Sequence, residues 1–306
     1  MADRAPRAEQ RLSVDGHELT IRRLDKVLYP QAGATKADVL DYYVRIAHVL
    51  LPHLADRPVT RIRYPDGVEA SPFFEKNLPA HAPGWLRSVE LPTPGSTRDR
   101  QTATFPLFDD TAALVWAANL AALELHVPQW TVGPRGGVRD PNRLVIDLDP
   151  GPPAGLAECA AAALEIRERL AADDLTAVPV TSGSKGMQLY VPLAGDQPAS
   201  TVRRYAKRLA ETLASERPEL LVAKMTKTLR AGKVLLDWSQ NNPAKTTISP
   251  YSLRGRAQPW VAAPRTWDEV DATTLAQLTA AQVLERVADG GDLAGALLSG
   301  RARLPS

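Results

Sequence analysis

The chain has 306 residues with a net charge of +2, long enough to bury a substantial core as one large domain or two closely fused ones. Near-neutrality leaves any nucleic-acid binding to the placement of charges rather than their total. The single cysteine, Cys159, excludes an internal disulfide and a cysteine-rich zinc site. No apolar stretch reaches membrane-spanning length and the N-terminus has no apolar signal core, so a cytoplasmic protein is expected. Residues 1–10 read as a disordered leader. Thr35 reads as the N-cap of an amphipathic helix reaching Leu51, with Val39, Tyr43, Ile46 and Leu50 at helical spacing and Pro52 ending it. Asp110 to Leu125 predicts a second helix, apolar enough to be buried. Arg143 to Pro150 predicts a buried strand stopped by Pro150 and Gly151, and Gly155 to Ala172 a third helix. Strands over Thr176 to Val180 and Gln188 to Pro192 flank a tight turn. Ser200 to Ser215 predicts a fourth helix, with Arg203, Arg204, Lys207 and Arg208 on its outer face. Lys233 to Trp238 reads as a further strand, and the pattern from Asp271 onward as a helix pair or a fraying tail.

Three short stretches carry the chemistry. In Asp147-Leu148-Asp149, strand alternation puts both carboxylates on one face and Leu144, Ile146 and Leu148 on the other. Two carboxylates at that spacing repel unless a cation lies between them, and a divalent metal with oxygen ligands meets that need. An acidic strand end facing water would show the same pattern. Thr181-Ser182-Gly183-Ser184-Lys185-Gly186 contains two glycines able to turn backbone N–H groups toward a ligand, and a lysine that adds a cation. These suit a phosphate cradle, although the Gly-Lys-Ser/Thr ending of a P-loop is missing. In Leu235-Leu236-Asp237-Trp238-Ser239-Gln240-Asn241, alternation sets Asp237 opposite Val234, Leu236 and Trp238. An acid in such a run is costly without a partner. From Leu220 to Trp267 it is the only acid among eight Lys and Arg (Lys224, Lys227, Arg230, Lys233, Lys245, Arg254, Arg256 and Arg265). That is the pattern of a metal carboxylate surrounded by phosphate-binding groups.

Lys245 to Gly255 (K-T-T-I-S-P-Y-S-L-R-G) follows these stretches, and Leu24 to Pro30, Arg61 to Gly67, Phe73 to Lys76 and Glu124 to Trp130 precede them. In this order and spacing the chain resembles the polymerase domain of bacterial ligase D over roughly residues 12–270. That domain belongs to the archaeo-eukaryotic primase superfamily and serves non-homologous end joining. The resemblance implies an α+β primase-polymerase fold, with two packed mixed β-sheets flanked by helices and the active cleft between them. It implies a catalytic domain over residues 11–270, with a helical segment at 271–306 packed on it or trailing from it. Asp147, Asp149 and Asp237 become the metal-binding triad for two divalent ions, Mn²⁺ favoured and Mg²⁺ possible. Ser182, Lys185 and His126 match triphosphate contacts, with Gln188 at a further such position. Arg230, Gln240 and Arg254 match residues around the incoming nucleotide. Lys26 and Lys36 match lysines that grip a 5′-phosphate across a gap, with Arg23 and Arg63 among the DNA contacts. Phe73 and Phe74 match an aromatic pair that stacks on template bases.

The implied activity is template-directed addition of NTPs or dNTPs, ribonucleotides accepted or preferred, at DNA ends and short 5′-phosphorylated gaps. The nuclease and ligase fused to this domain in ligase D have no counterpart in the motifs. A stand-alone paralogue or an excised domain is therefore expected, served by a separately encoded DNA ligase and a Ku-like end-binder. Two positions depart from the family pattern. Gln188 stands where histidine is usual; glutamine hydrogen-bonds but cannot become cationic, so weaker nucleotide binding or altered metal dependence is expected. Arg23 stands where end-joining members tend to carry Asn, and adds a bidentate phosphate contact. Glu90 to Phe105 looks like the surface loop that relatives use near DNA ends. A de novo primase would share triad and cleft, whereas an end-binding module would hold gapped DNA without incorporating nucleotides. A pure binder would gain by losing three negative charges near DNA, and a two-metal nuclease would not need Lys185, Arg230 and Arg254 placed for a triphosphate.

Overall fold

The computed structural model describes residues 9–93 and 101–305. Two hairpins open it, β1 (Glu9–Val14) with β2 (His17–Arg22) and β3 (Val27–Tyr29) with β4 (Ala34–Thr35). Of the expected leader, residues 1–8 lie outside the described residues, and Glu9 and Gln10 are paired in β1. Thr35 caps α1 (Lys36–Leu54) through a reciprocal capping box with Asp38. The helix does not stop at Pro52. The proline removes one backbone donor in the last turn, and the complete burial of His53 and Leu54 beyond it offsets that loss. Next come β5 (Thr60–Arg63), β6 (Phe73–Glu75) and the hairpin of β7 (Ser88–Pro92) and β8 (Thr102–Pro106). The expected DNA-end loop thus begins and ends in paired strands, and its residues 94–100 lie outside the described residues.

Asp110 caps α2 (Thr111–Asn119), which is shorter than its apolar run predicts. The chain reverses at Ala121, whose φ is 58°, and β9 (Ala122–Val127) takes the place of the predicted helical continuation. A buried helix and a buried strand can share one apolar pattern. Here pairing with β5 fixes the strand and separates Glu124 and His126 from Leu123, Leu125 and Val127. Then follow β10 (Arg143–Pro150), α3 (Leu156–Ala172), β11 (Val178–Thr181), β12 (Met187–Pro192), α4 (Ala199–Glu216), β13 (Leu221–Val222) and β14 (Val234–Asp237). The described chain ends with β15 (Thr247–Ile248), β16 (Trp260–Val261), β17 (Ala263–Pro264), α5 (Trp267–Asp271), β18 (Leu278–Thr279) and α6 (Ala280–Gly290).

Two sheets organise these elements. The larger has the order β13-β14-β10-β12-β11-β17 and is mixed through its one parallel pair, β13 with β14. The smaller, β15-β9-β5-β6, is antiparallel throughout. One face of the larger sheet packs Leu144, Ile146, Leu148, Leu189, Val191, Val234 and Leu236 on α3 and α4, with Cys159 in the same core. Its other face sends Val145, Val178, Val180 and Tyr190 into a core shared with the smaller sheet, α1 and α2. This is an α+β fold of packed sheets flanked by helices. Further along that second face the apolar side chains give way to polar ones, and the cleft opens there. Residues beyond 270 complete both cores: Val283 and Val287 of α6 pack with α1, and Leu304 packs with α3 and α4. Each such buried side chain contributes about 1.5–3 kcal/mol. Among the described residues no helix is long and apolar enough to cross a membrane.

Candidate active site

Strand register assembles the acidic centre. In the antiparallel pair of β10 and β14, Asp147 stands directly opposite Asp237, and Asp149 lies two residues further on the same face. One carboxylate oxygen from each of the three lies within 4.8 Å of the others. Burial, then the charge of Asp149, raises the Asp147 carboxyl well above its ordinary range. Asp149 keeps solvent contact at the cleft floor, yet protein atoms around it, then the Asp237 charge, raise it too. Three clustered carboxylates therefore do not all carry charge easily without a cation. An all-oxygen donor set of this kind suits hard divalent ions such as Mg²⁺ or Mn²⁺.

Asp237 is held from both sides. The Ser239 backbone donates to its Oδ1 at 3.0 Å and the Gln240 side chain to its Oδ2 at 2.9 Å. Lys245 Nζ lies 3.8 Å from Oδ2. The 3-10 turn Trp238–Asn241 is tied to β10 by Asn241, which accepts from Val145 N at 2.9 Å and donates to Val145 O at 2.7 Å. Sequence reasoning quoted Asn241 without assigning it this role.

The turn between β11 and β12 lies against the triad. A side chain at Gly186 would overlap the Leu148 carbonyl, and one at Gly183, whose φ is +66°, would press on Arg254 and Val261. Three amides of the turn are engaged within the protein. Ser182 N donates to Gly186 O at 3.0 Å, Gly183 N to Gln277 Oε1 at 2.7 Å and Ser184 N to Ser182 Oγ at 3.3 Å. The glycines also admit close packing, and the Ser182, Ser184 and Lys185 side chains line the cleft beside them. Gln277 also donates to Gly186 O at 3.1 Å, so a residue from the C-terminal segment clamps the turn. No local signal in the sequence marks it.

Opposite, on β9, His126 Nε2 lies 2.9 Å from Glu124 Oε2. Glu124 also accepts from Arg254 Nη1 at 3.0 Å, Gly255 N at 3.0 Å and Tyr64 Oη at 2.9 Å. Burial alone would raise this carboxyl. The His126 bond and the Arg254 charge outweigh it and bring it down to about 2. Glu124 was visible only as part of a motif, and the run around it read as helix.

His126, Asp147, Asp149, Ser182, Lys185, Gln188, Arg230, Gln240 and Arg254 line one cleft of about 510 Å³, joined by Ser184, Thr247 and Arg256. That volume and polar, cationic lining suit a nucleotide with its phosphates. Every residue expected around a nucleotide is therefore gathered in one place, although Gln240 spends its amide on Asp237 and Gln188 donates to Asp147 Oδ1 at 3.0 Å.

A family model described as LigD, primase-polymerase domain, matches residues 35–294. The chain belongs to the ligase D primase-polymerase domain family. It is 48% identical over 288 residues to the multifunctional non-homologous end joining DNA repair protein LigD of Mycobacterium tuberculosis (strain ATCC 25618 / H37Rv), covering 92% of this chain and 37% of that protein. It is 35% identical over 276 residues to the bifunctional non-homologous end joining protein LigD of Bacillus subtilis (strain 168), covering 90% of this chain and 43% of that protein. The chain thus spans about two fifths of the length of these curated relatives. The polymerase domain from Mycobacterium tuberculosis ligase D, solved in complex with DNA, superposes with a TM-score of 0.87 at 46% identity, covering 94% of this chain and 99% of that one.

In this primase-polymerase domain the residues expected to meet DNA lie apart from the cleft lining. Arg23, Lys26 and Lys36 converge where the β3–β4 hairpin meets α1. The Lys26 backbone donates to Arg23 O at 3.1 Å, and the Lys36 backbone to Lys26 O at 2.8 Å. Lys36 is not a surface lysine. It is 7% exposed and donates to Arg22 O at 2.7 Å and Asn119 Oδ1 at 2.8 Å. Burial, then the charges of Arg23 and Lys26, lower its ammonium to about 8. Lys26 Nζ meets Asp66 at 3.1 Å, and Arg23 is exposed with φ at 53°. Phe73 and Phe74 lie on the edge strand β6, 58% and 54% exposed, with Lys76 Nζ 5.9 Å from the Phe74 ring centroid. Arg63 donates to Leu120 O at 2.9 Å and Glu75 Oε1 at 3.2 Å, with its side chain partly exposed.

Proposed function

We propose that this domain adds nucleotides to a primer 3′-hydroxyl under the direction of a template, at DNA ends and short gaps bearing a 5′-phosphate. The observation that carries this reading is one cleft lined by Asp147 and Asp149 together with His126, Lys185, Arg230 and Arg254, with Asp237 clustered beside the two carboxylates. A nuclease needs the triad but not cations set for a triphosphate. Bound at Asp147, Asp149 and Asp237, divalent ions, Mn²⁺ favoured over Mg²⁺, would supply the activation of the attacking hydroxyl and the neutralisation of the phosphates. The chain's own groups do the rest. Lys185, Arg230, Arg254 and Arg256 bring positive charge to the phosphates, and Ser182 offers a hydroxyl donor. Glu124 engages His126 Nε2 and Arg254 Nη1 together, so both are oriented before a ligand enters.

The exposed Phe73 and Phe74 supply faces on which unpaired template bases can stack, whatever their sequence. The Arg23, Lys26 and Lys36 cluster would receive the 5′-phosphate. Burial first, and then the charges of Arg23 and Lys26, lower the Lys36 ammonium, and a bound anion would favour its charged form. Ribonucleotide acceptance, and a Ku-like end-binder and a DNA ligase as partners, belong to the same proposal; the non-homologous end joining proteins that the chain resembles support action at DNA ends.

The test is single-nucleotide extension on a 5′-phosphorylated gapped duplex with Mn²⁺. Templated addition should occur with the wild type and fall at least 10³-fold in Asp147→Ala, in line with the loss of a metal ligand or preorganised charge. Tight binding of the gap with no incorporation by wild type, under either metal and with NTPs or dNTPs, would leave an end-binding module in its place.

A further inference from the structure

Gln188 continues the row of the triad across the sheet. Strand register places Asp237 on β14 opposite Asp147 on β10, and Asp147 opposite Gln188 on β12. Gln188 Nε2 donates to Asp147 Oδ1 at 3.0 Å. The other end of the amide is engaged as well, since Tyr190 Oη lies 2.8 Å from Gln188 Oε1. Tyr190 shares the same strand face two residues on and is 1% exposed. Its hydroxyl lies 3.2 Å from Thr247 Oγ1, and Gln129 Nε2 donates to that same oxygen at 2.6 Å. Gln129 and Thr247 are both buried, and Thr247 belongs to β15 of the smaller sheet.

The Tyr190 hydroxyl has three acceptors in reach, Gln188 Oε1 at 2.8 Å, Ile248 O at 2.9 Å and Thr247 Oγ1 at 3.2 Å, and its proton on Gln188 links Gln129, Thr247, Tyr190, Gln188 and Asp147 in one chain. The Gln188 end has a fixed direction: ionised Asp147 can only accept, so the amide N–H donates there and the amide carbonyl faces Tyr190. Flipping the Gln188 amide would set its oxygen against the Asp147 oxygen and its N–H against the tyrosine proton. The chain therefore spans the two packed sheets and terminates on Asp147, the middle member of the row Asp237, Asp147, Gln188.

We propose that Gln188 is a positioning residue, which acts through Asp147 by holding one carboxylate oxygen so that the other is presented to a divalent ion. The inference rests on the polymerase reading but concerns metal affinity, not triphosphate binding. The carbonyl and one N–H of the amide are already committed to Tyr190 and Asp147. Tyr190 extends the role, because its proton keeps the amide from turning. Outer partners of metal ligands typically change metal affinity 10–100-fold when removed.

The experiment is Mn²⁺ binding to the full chain without nucleotide, read from the electron paramagnetic resonance signal of free Mn²⁺, for wild type, Gln188→Leu and Tyr190→Phe. Thermal midpoints verify folding. Gln188→Leu should weaken Mn²⁺ binding about 10-fold, and Tyr190→Phe several-fold, although its hydroxyl is buried away from any triphosphate. In extension assays at saturating Mn²⁺ the nucleotide KM of both variants should stay within about two-fold of wild type, while the Mn²⁺ concentration for half-maximal rate shifts in step with the binding. Unchanged Mn²⁺ binding in Gln188→Leu overturns the proposal, and a raised nucleotide KM alongside it makes Gln188 a triphosphate contact. An effect of Gln188→Leu without any in Tyr190→Phe overturns the relay. If Gln188→Leu fails to fold, Tyr190→Phe carries the test alone, and unchanged Mn²⁺ binding there overturns it. A wild type that binds Mn²⁺ but adds no nucleotide would sink the polymerase reading, and the binding comparison would still decide the role of Gln188.

Discussion

Glu124 accepts from Arg254, Tyr64 and the Gly255 backbone and is paired with His126, and burial makes each of those contacts count. Its carboxyl sits near 2 in the folded protein against an ordinary 4.5, so the folded state favours the ionised form. The sign follows from that depression. Stability from this group is complete above about pH 4.5 and is lost as the pH falls toward 2. Glu124→Gln should therefore cost on the order of 2–3 kcal/mol at neutral pH, and the gap to wild type should narrow on acidification. Denaturant titrations at pH 7 and pH 3 measure both. The same variant frees His126 and Arg254 to reorient, so nucleotide KM should rise while Mn²⁺ binding stays near wild type.

At the scale of elements, the site depends on how a short turn is fastened to a strand. The 3-10 turn Trp238–Asn241 carries Ser239 and Gln240 to Asp237, and Asn241 fixes it to both polar groups of Val145. Asn241→Ala leaves a buried donor and a buried acceptor without these partners. The expected cost is about 2–4 kcal/mol, with weaker Mn²⁺ binding because Asp237 loses its register against Asp147. Asn242→Ala, one residue on, removes only a bond to Ala244 N at 3.0 Å and should be nearly silent in both measurements. Alternation alone placed Asp147, Asp149 and Asp237 correctly, because period-two patterning survives any tertiary context. The apolar run after Asp110 was different. Its composition fits a helix or a strand, and the pairing of β9 with β5, invisible locally, made its second half a strand.

The whole molecule binds its C-terminal residues more tightly than a catalytic domain ending near 270 would suggest. Gln277 clamps the Ser182–Gly186 turn, α6 completes the α1 core, and Asp292 reaches back to His53 and Tyr251 at 3.0 and 2.7 Å. His53 is fully buried, and burial first holds it below its usual value. Its neutral ring accepts from Arg143 Nη2 at 3.2 Å and donates to Asp292, joining α1, the start of β10 and the loop after α6. A chain ending at Ala276 would lose Gln277, Val283, Val287, Asp292 and Leu304 together. It should not unfold cooperatively at any temperature, as judged by calorimetry against the full chain. A truncated chain with an intact transition would show that the domain ends there.

The residues of the triad, the cations around them and their assignment to one chemistry were set by the sequence itself, since alternation and local composition act over a few residues. The tertiary structure decided what those groups face. Lys36, expected to grip a 5′-phosphate, is buried and donates to Arg22 O and Asn119 at the first turn of α1. Gln240 and Gln188, expected around the nucleotide, line the cleft and also donate to Asp237 and Asp147. The glycines of the turn, expected to turn amides toward a ligand, also admit close packing against Leu148 and Arg254. A hydrogen bond depends on which distant partner arrives within about 3 Å, and only the packing of two sheets and a returning C-terminal segment brings Glu124, Tyr190 and Gln277 to their partners.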